Sequence, residues 1–227
     1  MTKVELRVDW CSHEAAKYAV EHWHYSRSMP AGRNVYIGVW EFGRFVGTIL
    51  FGMGSGNSTN GKSYGLASSH EMAELTRVAL TAHISPVSQI VSFAIKMVKK
   101  QSSDLRLLIS MADPKAGHVG GIYQAMNWVY TGETKPDVMY FSRGEWVHHR
   151  TATARGSAKG LPSRAIPSKH RYLYPLDRAM RKQIAPLAKP YPKRETCGSS
   201  VEGDTLPQAE GGVRSTGAAP DILDVTG

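Results

Sequence analysis

Apolar residues alternate between two patterns through residues 73–132, in the middle of the chain. From Leu75 to Leu80 they run almost without interruption, as in a strand that is covered on both faces. Ser85 and Pro86 then suit the cap and the first position of a helix. An apolar stripe at helical spacing follows, formed by Val87, Ile90, Val91, Ala94 and Val98. These patterns predict a strand and then a helix that begins at about Pro86.

The same alternation repeats directly afterwards. Leu105 to Ala112 is a second apolar run, and Asp113-Pro114 ends it. The Gly-rich sequence GHVGG leads into a short helical pattern that ends at Asn127, a residue type that accepts the left-handed conformation at a helix end. The order strand, helix, strand, helix predicts an α/β fold.

Shorter patterns precede this region. Residues 6–10 predict a first strand, and Ser12 caps a helix that carries His24, Tyr25 and Ser26 at its C-terminal end. Residues 34–51 contain two β-rich runs joined by a Gly-containing loop, which predicts a hairpin.

We expect three segments along the chain. Residues 1–150 form the α/β catalytic domain, whose last strand covers 138–147. Residues 151–195 form a basic extension with little periodicity before its short helix at 177–187. Residues 196–227 are rich in Gly, Ser, Ala, Pro and acidic residues, and we expect this tail to be disordered.

Charge indicates the kind of partner. The 227 residues include 28 Lys and Arg against 19 Asp and Glu, and the tail contributes one basic and five acidic residues. The first 195 residues therefore carry a net charge of +13. A basic, soluble surface without a specific partner is the simpler interpretation, whereas a nucleic-acid partner explains the size of the excess.

Other features exclude several classes of protein. No apolar run reaches the roughly 18 residues of a membrane span, and the N-terminus lacks a signal-peptide pattern. The two cysteines, Cys11 and Cys197, show no disulfide or zinc spacing. We expect a cytosolic protein without a membrane partner.

Several motifs together resemble a known family. One resemblance is to the acyl-CoA-binding half of the GNAT acetyltransferase superfamily. It is carried by the order strand, helix, strand, followed by Ile122-Tyr123-Gln124-Ala125-Met126-Asn127-Trp128. Over roughly residues 5–195 the chain also resembles the Mom DNA-modification proteins of Mu-like bacteriophages. The segments that carry this resemblance are LRVDWCSHEAAKYAVEHWHYSRSMP, PVSQIVSFAIK, GHVGGIYQAMNW and KHRYLYPLD. The resemblance implies a GNAT-like mixed sheet flanked by helices and opened where a cofactor binds.

The resemblance also implies an activity. It is the conversion of adenine in double-stranded phage DNA to its N-carbamoylmethyl form at the exocyclic amine, with the adenine flipped out of the duplex. Such a modification would protect the DNA from host restriction, in the cytoplasm of the infected bacterium. The alternatives are an ordinary GNAT N-acetyltransferase that acts on a protein or small-molecule amine, and a DNA-binding module without catalysis.

Six residues are catalytic candidates: His24, Tyr25, Glu74, Ser110, Asp113 and Tyr123. Matching the GNAT motif gives Tyr123 the role of acid towards a leaving thiolate, and Glu74 would polarise the accepting amine. Each has a simpler interpretation. His24 could cap a helix, Glu74 could face solvent, and Asp113 could initiate a turn.

Six residues are candidates for holding an acetyl-CoA or another acyl-CoA-like donor: Arg77, Ser85, Val87, Ser88, Gln89 and Ser92. Free amides at a helix start bind pyrophosphate, and Arg77 would face an anion, although a salt-bridged arginine is equally consistent. The chain lacks the Gln/Arg-x-x-Gly-x-Gly/Ala loop that is usual in acetyltransferases.

Two further sites are considered. His24, His118 and Asp113 could form a histidine and carboxylate site for a metal ion such as iron. Within the basic extension, phosphate-binding and stacking side chains are interleaved, and our candidates for DNA contact are Lys169, His170, Arg171, Tyr172 and Tyr174.

Overall fold

A seven-stranded mixed sheet forms the centre of the molecule, in the strand order β1-β2-β3-β4-β5-β10-β6. The computed structural model describes residues 4–53 and 61–193. The strands of this sheet are β1 (Leu6–Trp10), β2 (Asn34–Glu41), β3 (Arg44–Gly52), β4 (Met72–Leu80), β5 (Leu107–Ala112), β6 (Val129–Glu133) and β10 (His170–Pro175). The helices beside it are α1 (His13–Trp23), α2 (Val87–Gln101), α3 (Gly121–Ala125) and α5 (Arg178–Ile184). This architecture confirms the expected α/β fold, a mixed sheet flanked by helices.

Helices cover both faces of the sheet because the apolar residues of each strand alternate between them. Ile49 and Leu108 pack against the apolar stripe of α2 on one face. Leu50 packs against α1 on the other face, where Ile109 packs against α5. None of the described helices is long and apolar enough to cross a membrane.

Local signals in the sequence set several boundaries. The Ser12 side chain accepts a hydrogen bond from the Ala15 amide and caps α1, as predicted. The hairpin between β2 and β3 turns at Phe42-Gly43, where both residues have positive φ. Asn127 has φ of 56°, which confirms its left-handed conformation after α3.

The pairing between β4 and β5 is short. The two strands run parallel only from Met72–Leu107 to Glu74–Ile109 and are not paired beyond that point. The register of β4 against β3 also shifts, so that Leu50 pairs with Arg77 and Phe51 with Leu75. The extra residue is a bulge in β4. The sheet is therefore open on the C-terminal side of Glu74.

Residues 134–169 leave the sheet between β6 and β10 and form a separate small structure, which we call the insert. It contains a second sheet with strand order β8-β7-β9, formed by β7 (Asp137–Ser142), β8 (Glu145–His148) and β9 (Ser163–Ile166), together with α4 (His149–Ala154). The run 138–147, expected as one strand, is thus a hairpin that turns at Arg143-Gly144, both with positive φ.

The sequence suggested a change of domain at residue 150, but the chain returns to the main sheet after the insert. β10 pairs with β5 on one side and with β6 on the other, so residues 170–175 are central to the fold. The expected short helix is α5, capped by Asp177. The acidic tail, residues 196–227, lies outside the described residues.

Candidate active site

Ser110 and Tyr123 border the open part of the sheet on one side. Ser110 Oγ lies 2.7 Å from the Leu75 carbonyl oxygen and 2.7 Å from the Tyr123 hydroxyl. A carbonyl oxygen only accepts, so the single Ser110 proton goes to Leu75 and the Tyr123 hydroxyl donates to Ser110. Ser110 therefore bridges the strands where their backbone pairing has ended, and it fixes the direction of the phenol.

Tyr123 is held as a neutral phenol. Burial raises its pKa to about 12, and the nearby Tyr25 and Glu74 act in the same direction. Its ring packs between those of Trp128 and Tyr172, with centroids 5.0 and 5.1 Å away. A protonated, rigidly packed phenol is suited to donate a proton and not to act as a base.

The segment after α1 supplies a second group of rings. Tyr25, 54% exposed, packs against His24 and His118, whose ring centroids lie 4.3 and 4.9 Å from its own. The Ser26 amide donates to His24 Nδ1 at 3.1 Å, so a neutral His24 carries its proton on Nε2. Burial and the charges of Arg77 and His118 lower the pKa of His24 to about 4. His24 is therefore a neutral donor at pH 7.

The bulge in β4 places Glu74 and Arg77 on the same face. In a regular strand residues three apart point in opposite directions, and the extra residue restores a common side. Burial lowers the pKa of Arg77, while the nearby Tyr25 and Glu74 act in the opposite direction. The Arg77 side chain donates to the Ser28 and Thr76 carbonyls at 3.2 and 2.7 Å. Arg77 thus holds the segment that carries His24 and Tyr25.

Asp113 has the turn-forming role that its sequence position allowed. Its carboxylate accepts from the Lys115 amide at 3.0 Å and starts a short 3-10 turn after β5. It also lies 3.9 Å from Lys169 Nζ and raises the pKa of Tyr25, after the larger effect of burial. Asp113 therefore belongs to the same polar cluster as Tyr25 and His118.

The start of α2 differs from the expectation. Ser85 does not cap the helix; Pro86 occupies that position without a side-chain bond. Instead, the Glu41 carboxylate accepts from the Ile84 and Ser85 amides, at 2.7 Å each. Burial alone would raise the pKa of Glu41, but these bonds and the Ser85 side chain lower it.

This carboxylate changes what the loop before α2 can bind. A diphosphate needs free amides, whereas Glu41 already uses two of them and repels an anion. The residues present therefore do not fit an acyl-CoA diphosphate at the Ile84 and Ser85 amides. Ser92 Oγ is also engaged, because it donates to the Ser88 carbonyl at 2.7 Å. Arg77, on the α1 side of the sheet, is separated from this group.

The family model for the Mom protein family matches residues 5–193. The chain belongs to the Mom protein family. It is also similar to the methylcarbamoylase mom of Escherichia phage Mu, with 28% identity over 205 residues, 83% of this chain and 84% of that protein. The match to the family spans every strand of the main sheet and the whole insert.

Solved structures show weaker likenesses to this Mom family chain. A protein of Acinetobacter baylyi ADP1 classed as an acetyltransferase has 12% identity and a TM-score of 0.45, covering 78% of this chain and 95% of that one. FeeM, an N-acyl amino acid synthase from uncultured soil microbes, has 13% identity and a TM-score of 0.43, covering 80% and 94%. Likenesses at this level carry no argument about function.

The five residues considered for DNA contact lie in or next to β10, at the centre of the Mom family fold. Tyr172 is completely buried and His170 nearly so, which prevents either ring from stacking on a base. Arg171 Nε donates to Thr131 Oγ1 at 2.8 Å, and Tyr174 packs on Trp128. Only Lys169, beside Asp113, reaches the polar cluster.

Tyr172 supports the site instead. Its hydroxyl donates to the Val119 carbonyl and accepts from Gln124, which fixes the loop before α3. Gly120 in this loop has φ of 79°, and a Cβ atom there would overlap the Tyr172 ring. The periodicity of the sequence gives no sign of this contact, because the two segments lie about 50 residues apart.

The histidine and carboxylate metal site is not supported. Within residues 4–53 and 61–193, no group of three His, Cys, Asp or Glu side chains lies close enough to hold a metal ion. His24 and His118 both pack against the Tyr25 ring, and Asp113 is engaged by the Lys115 amide. The structure therefore brings these three residues into one cluster without forming a metal-binding arrangement.

Proposed function

We propose that this chain is a transferase that modifies DNA, converting adenine to its N-carbamoylmethyl form at the exocyclic amine. Membership of the Mom family and the similarity to a phage methylcarbamoylase support this proposal. The net charge of +13 on residues 1–195 favours a polyanionic substrate. The proposed consequence is protection of phage DNA from host restriction endonucleases in the cytoplasm of the infected bacterium.

The observation that carries the proposal is the neutral Tyr123 phenol, directed by Ser110, at the opening between β4 and β5. Tyr25 is close enough to Tyr123 to raise its pKa and is 54% exposed, so we expect it to be the first ring that an entering base contacts. A base inside a duplex cannot reach such a pocket, so the adenine has to be flipped out, at a cost of a few kcal/mol. Binding of the duplex by basic side chains would offset that cost.

The residues would divide the chemistry between them. The amine of adenine is a weak nucleophile because its lone pair is delocalised, so it needs close positioning and polarisation, which we assign to Glu74 and Tyr25. The new bond joins the amine nitrogen to the methylene carbon, the bond from that carbon to the leaving group breaks, and the amine loses one proton, which the Glu74 carboxylate would accept. Tyr123 would protonate the leaving group.

The donor has to carry the carbamoylmethyl group with a leaving group on its methylene carbon. Acetyl transfer from acetyl-CoA would give an acetyl amide, which is a different product. The Glu41 carboxylate at the Ile84 and Ser85 amides also disfavours the usual diphosphate contact. An acyl-CoA-like donor would therefore have to bind elsewhere in the site.

Mass spectrometry of nucleosides from plasmid DNA, recovered from cells that express the chain, tests the proposal. We expect a deoxyadenosine with a carbamoylmethyl-sized increment, lost with Tyr123→Phe. Tyr191→Phe is the matched control, since its hydroxyl bonds the Trp128 carbonyl and not Ser110 or Tyr123. An acetyl-sized increment would show ordinary acyl transfer, and unmodified nucleosides from folded protein would contradict the proposal.

A further inference from the structure

The insert has one covered face and one open face. On the covered face, α4 packs against β7, with the Tyr140 and His149 ring centroids 5.7 Å apart and Ala152 1% exposed. Cross-strand neighbours share a face, so the pairs Phe141–Trp146, Met139–His148 and Met139–Arg164 define the other side. We call the side chains of Met139, Phe141, Trp146, His148 and Arg164 the open face.

The open face combines aromatic and cationic groups. Phe141 is 40% exposed and lies 5.4 Å from Trp146 between ring centroids. The Arg164 guanidinium lies over the Trp146 ring at 4.5 Å, and Arg143 is exposed at the tip of the hairpin. A stacked arginine beside exposed rings can bind phosphates and bases together.

Charge decides what kind of partner this face suits. Residues 134–169 contain seven Lys and Arg against Asp137 and Glu145. Glu145 is already paired with Arg155 at 2.6 Å, and Asp137 lies 3.4 Å from His148. A second copy of this basic chain would be repelled, whereas a polyanion would be attracted.

The insert is also anchored beside the candidate site. Its two ends hold each other, because the Thr134 amide donates to the Lys169 carbonyl at 2.8 Å and the Lys169 amide to Thr134 Oγ1 at 2.9 Å. Lys169 Nζ lies 3.9 Å from Asp113, and the next residue, His170, pairs with Ala112 at the end of β5. The insert therefore leaves the sheet at the end where Asp113 and Tyr123 lie.

We propose that the open face and the Arg143 tip bind the DNA strand next to the target nucleotide, and so hold the duplex against the site. This inference rests on the proposed function for the identity of the substrate. It replaces β10 as the DNA-binding element, because the side chains of β10 are largely enclosed in the sheet. Phosphate contacts would come from Arg143 and Arg164, and Phe141 would contact sugar or base.

The test compares two triple variants in binding a fluorescent DNA duplex, followed by anisotropy. Phe141→Ser/Arg143→Gln/Arg164→Gln removes the open face. Phe93→Ser/Lys96→Gln/Lys100→Gln is the matched control on α2, where an exposed Phe93 ring lies 5.6 Å from Lys96. Each variant loses one exposed ring and two cations, so net charge is the same in both.

We expect the open-face variant to bind DNA about tenfold more weakly than wild type. Between about 50 and 200 mM salt, the slope of log Kd against log salt should be smaller by about two. The control should stay within about twofold of wild type. Equal affinity of the open-face variant and wild type would overturn the inference. Should the triple variant fail to fold, Arg143→Gln alone has to reduce the slope by about one.

Two further readouts separate the outcomes. Sedimentation of the wild type and both variants shows whether the open face holds two copies together. If the wild type and the control variant are dimers and the open-face variant is a monomer, the open face is a dimer interface and the inference of DNA binding is overturned. Nucleoside analysis of the same wild-type protein tests the proposed function independently. If the open-face variant loses DNA affinity but the wild type leaves nucleosides unmodified, the inference stands and the proposed reaction is rejected. If the variant keeps its DNA affinity and the wild type modifies deoxyadenosine, only the inference is rejected.

Discussion

The junction of β4 and β5 has a closed end and an open end, and their polar groups differ. At the closed end, Arg106 Nε lies 2.8 Å from Asp177 Oδ2, and Asp177 also caps α5 through the Met180 amide. At the open end lie Tyr123 and His24, uncharged groups whose pKa values are displaced by burial. Charge pairs thus join the strands where they meet, whereas the gap where they separate also contains uncharged proton donors.

The comparison also shows why volume alone does not locate a site. A cavity of about 630 Å³ lies at the closed end, lined by Glu71, Arg106 and Asp177 among others. Its central charges are paired with each other, as in a structural network. Displaced pKa values and a broken strand pairing occur at the other end, and these are the features expected of a functional site.

The largest expected difference between the two ends is a pH effect at His24. Its folded pKa, about 4, lies below the unfolded value of about 6.5, so the unfolded chain binds more protons between these values. The contribution of His24 to the free energy of unfolding is therefore fully present above pH 6.5. As the pH falls towards 4, this free energy decreases by about 3 kcal/mol. Urea unfolding of wild type and His24→Gln at pH 7 and at a pH near the folded pKa measures it.

In that experiment His24→Gln should show a much smaller dependence on pH than wild type. His70→Gln is the control, because His70 is exposed near the closed end. An equal pH dependence in His24→Gln and wild type would mean that His24 is not held neutral by the fold.

The second difference is in catalysis. Ser110→Ala removes the partner that directs the Tyr123 phenol, and we expect turnover to fall about 100-fold while DNA affinity is unchanged. The variant also leaves the Leu75 carbonyl without its bond, so the free energy of unfolding should fall by about 1 kcal/mol. Single-turnover rates and urea unfolding on the same preparation separate the two effects. Wild-type turnover in Ser110→Ala would remove the proposed role of this pair.

The smallest expected effect lies at the closed end. Asp177→Ala removes both the cap of α5 and the partner of Arg106, and we expect the free energy of unfolding to fall by about 1 kcal/mol, with turnover per folded molecule unchanged. Asp104→Ala, at an exposed neighbouring position, serves as the control and should leave both quantities at their wild-type values. A specific loss of turnover in Asp177→Ala would show that the two ends are coupled.

Local chemistry made part of this structure predictable from the sequence. Gly43 and Asn127 mark turns whose backbone conformations few other residues accept, and the structure has both. The apolar runs of β4 and β5 and the apolar stripe of α2 were predictable because each pattern lies within one short segment of the sequence. Tyr25 was a candidate because of the Mom family resemblance, and Tyr123 because of the GNAT motif.

Contacts between distant segments were not predictable in the same way. β10 contains charged and aromatic residues, and nothing in its own pattern shows that it pairs with β5 and β6. Tyr172 therefore suggested a DNA-stacking ring, although it supports Gly120 and Tyr123 inside the fold. Likewise Ser85 suggested a helix cap, because its actual partner, Glu41, lies 44 positions earlier.

The position of β10 has a consequence for synthesis of the protein. Translation releases β5 and β6 first, and the strand that joins them follows only when residues 170–175 leave the ribosome. Until then a nascent chain contains every residue that we assign to catalysis but lacks Tyr172, the ring that supports Tyr123. A fragment that stops before residue 170 should therefore be inactive, and activity begins only after nearly all of the described chain has been made.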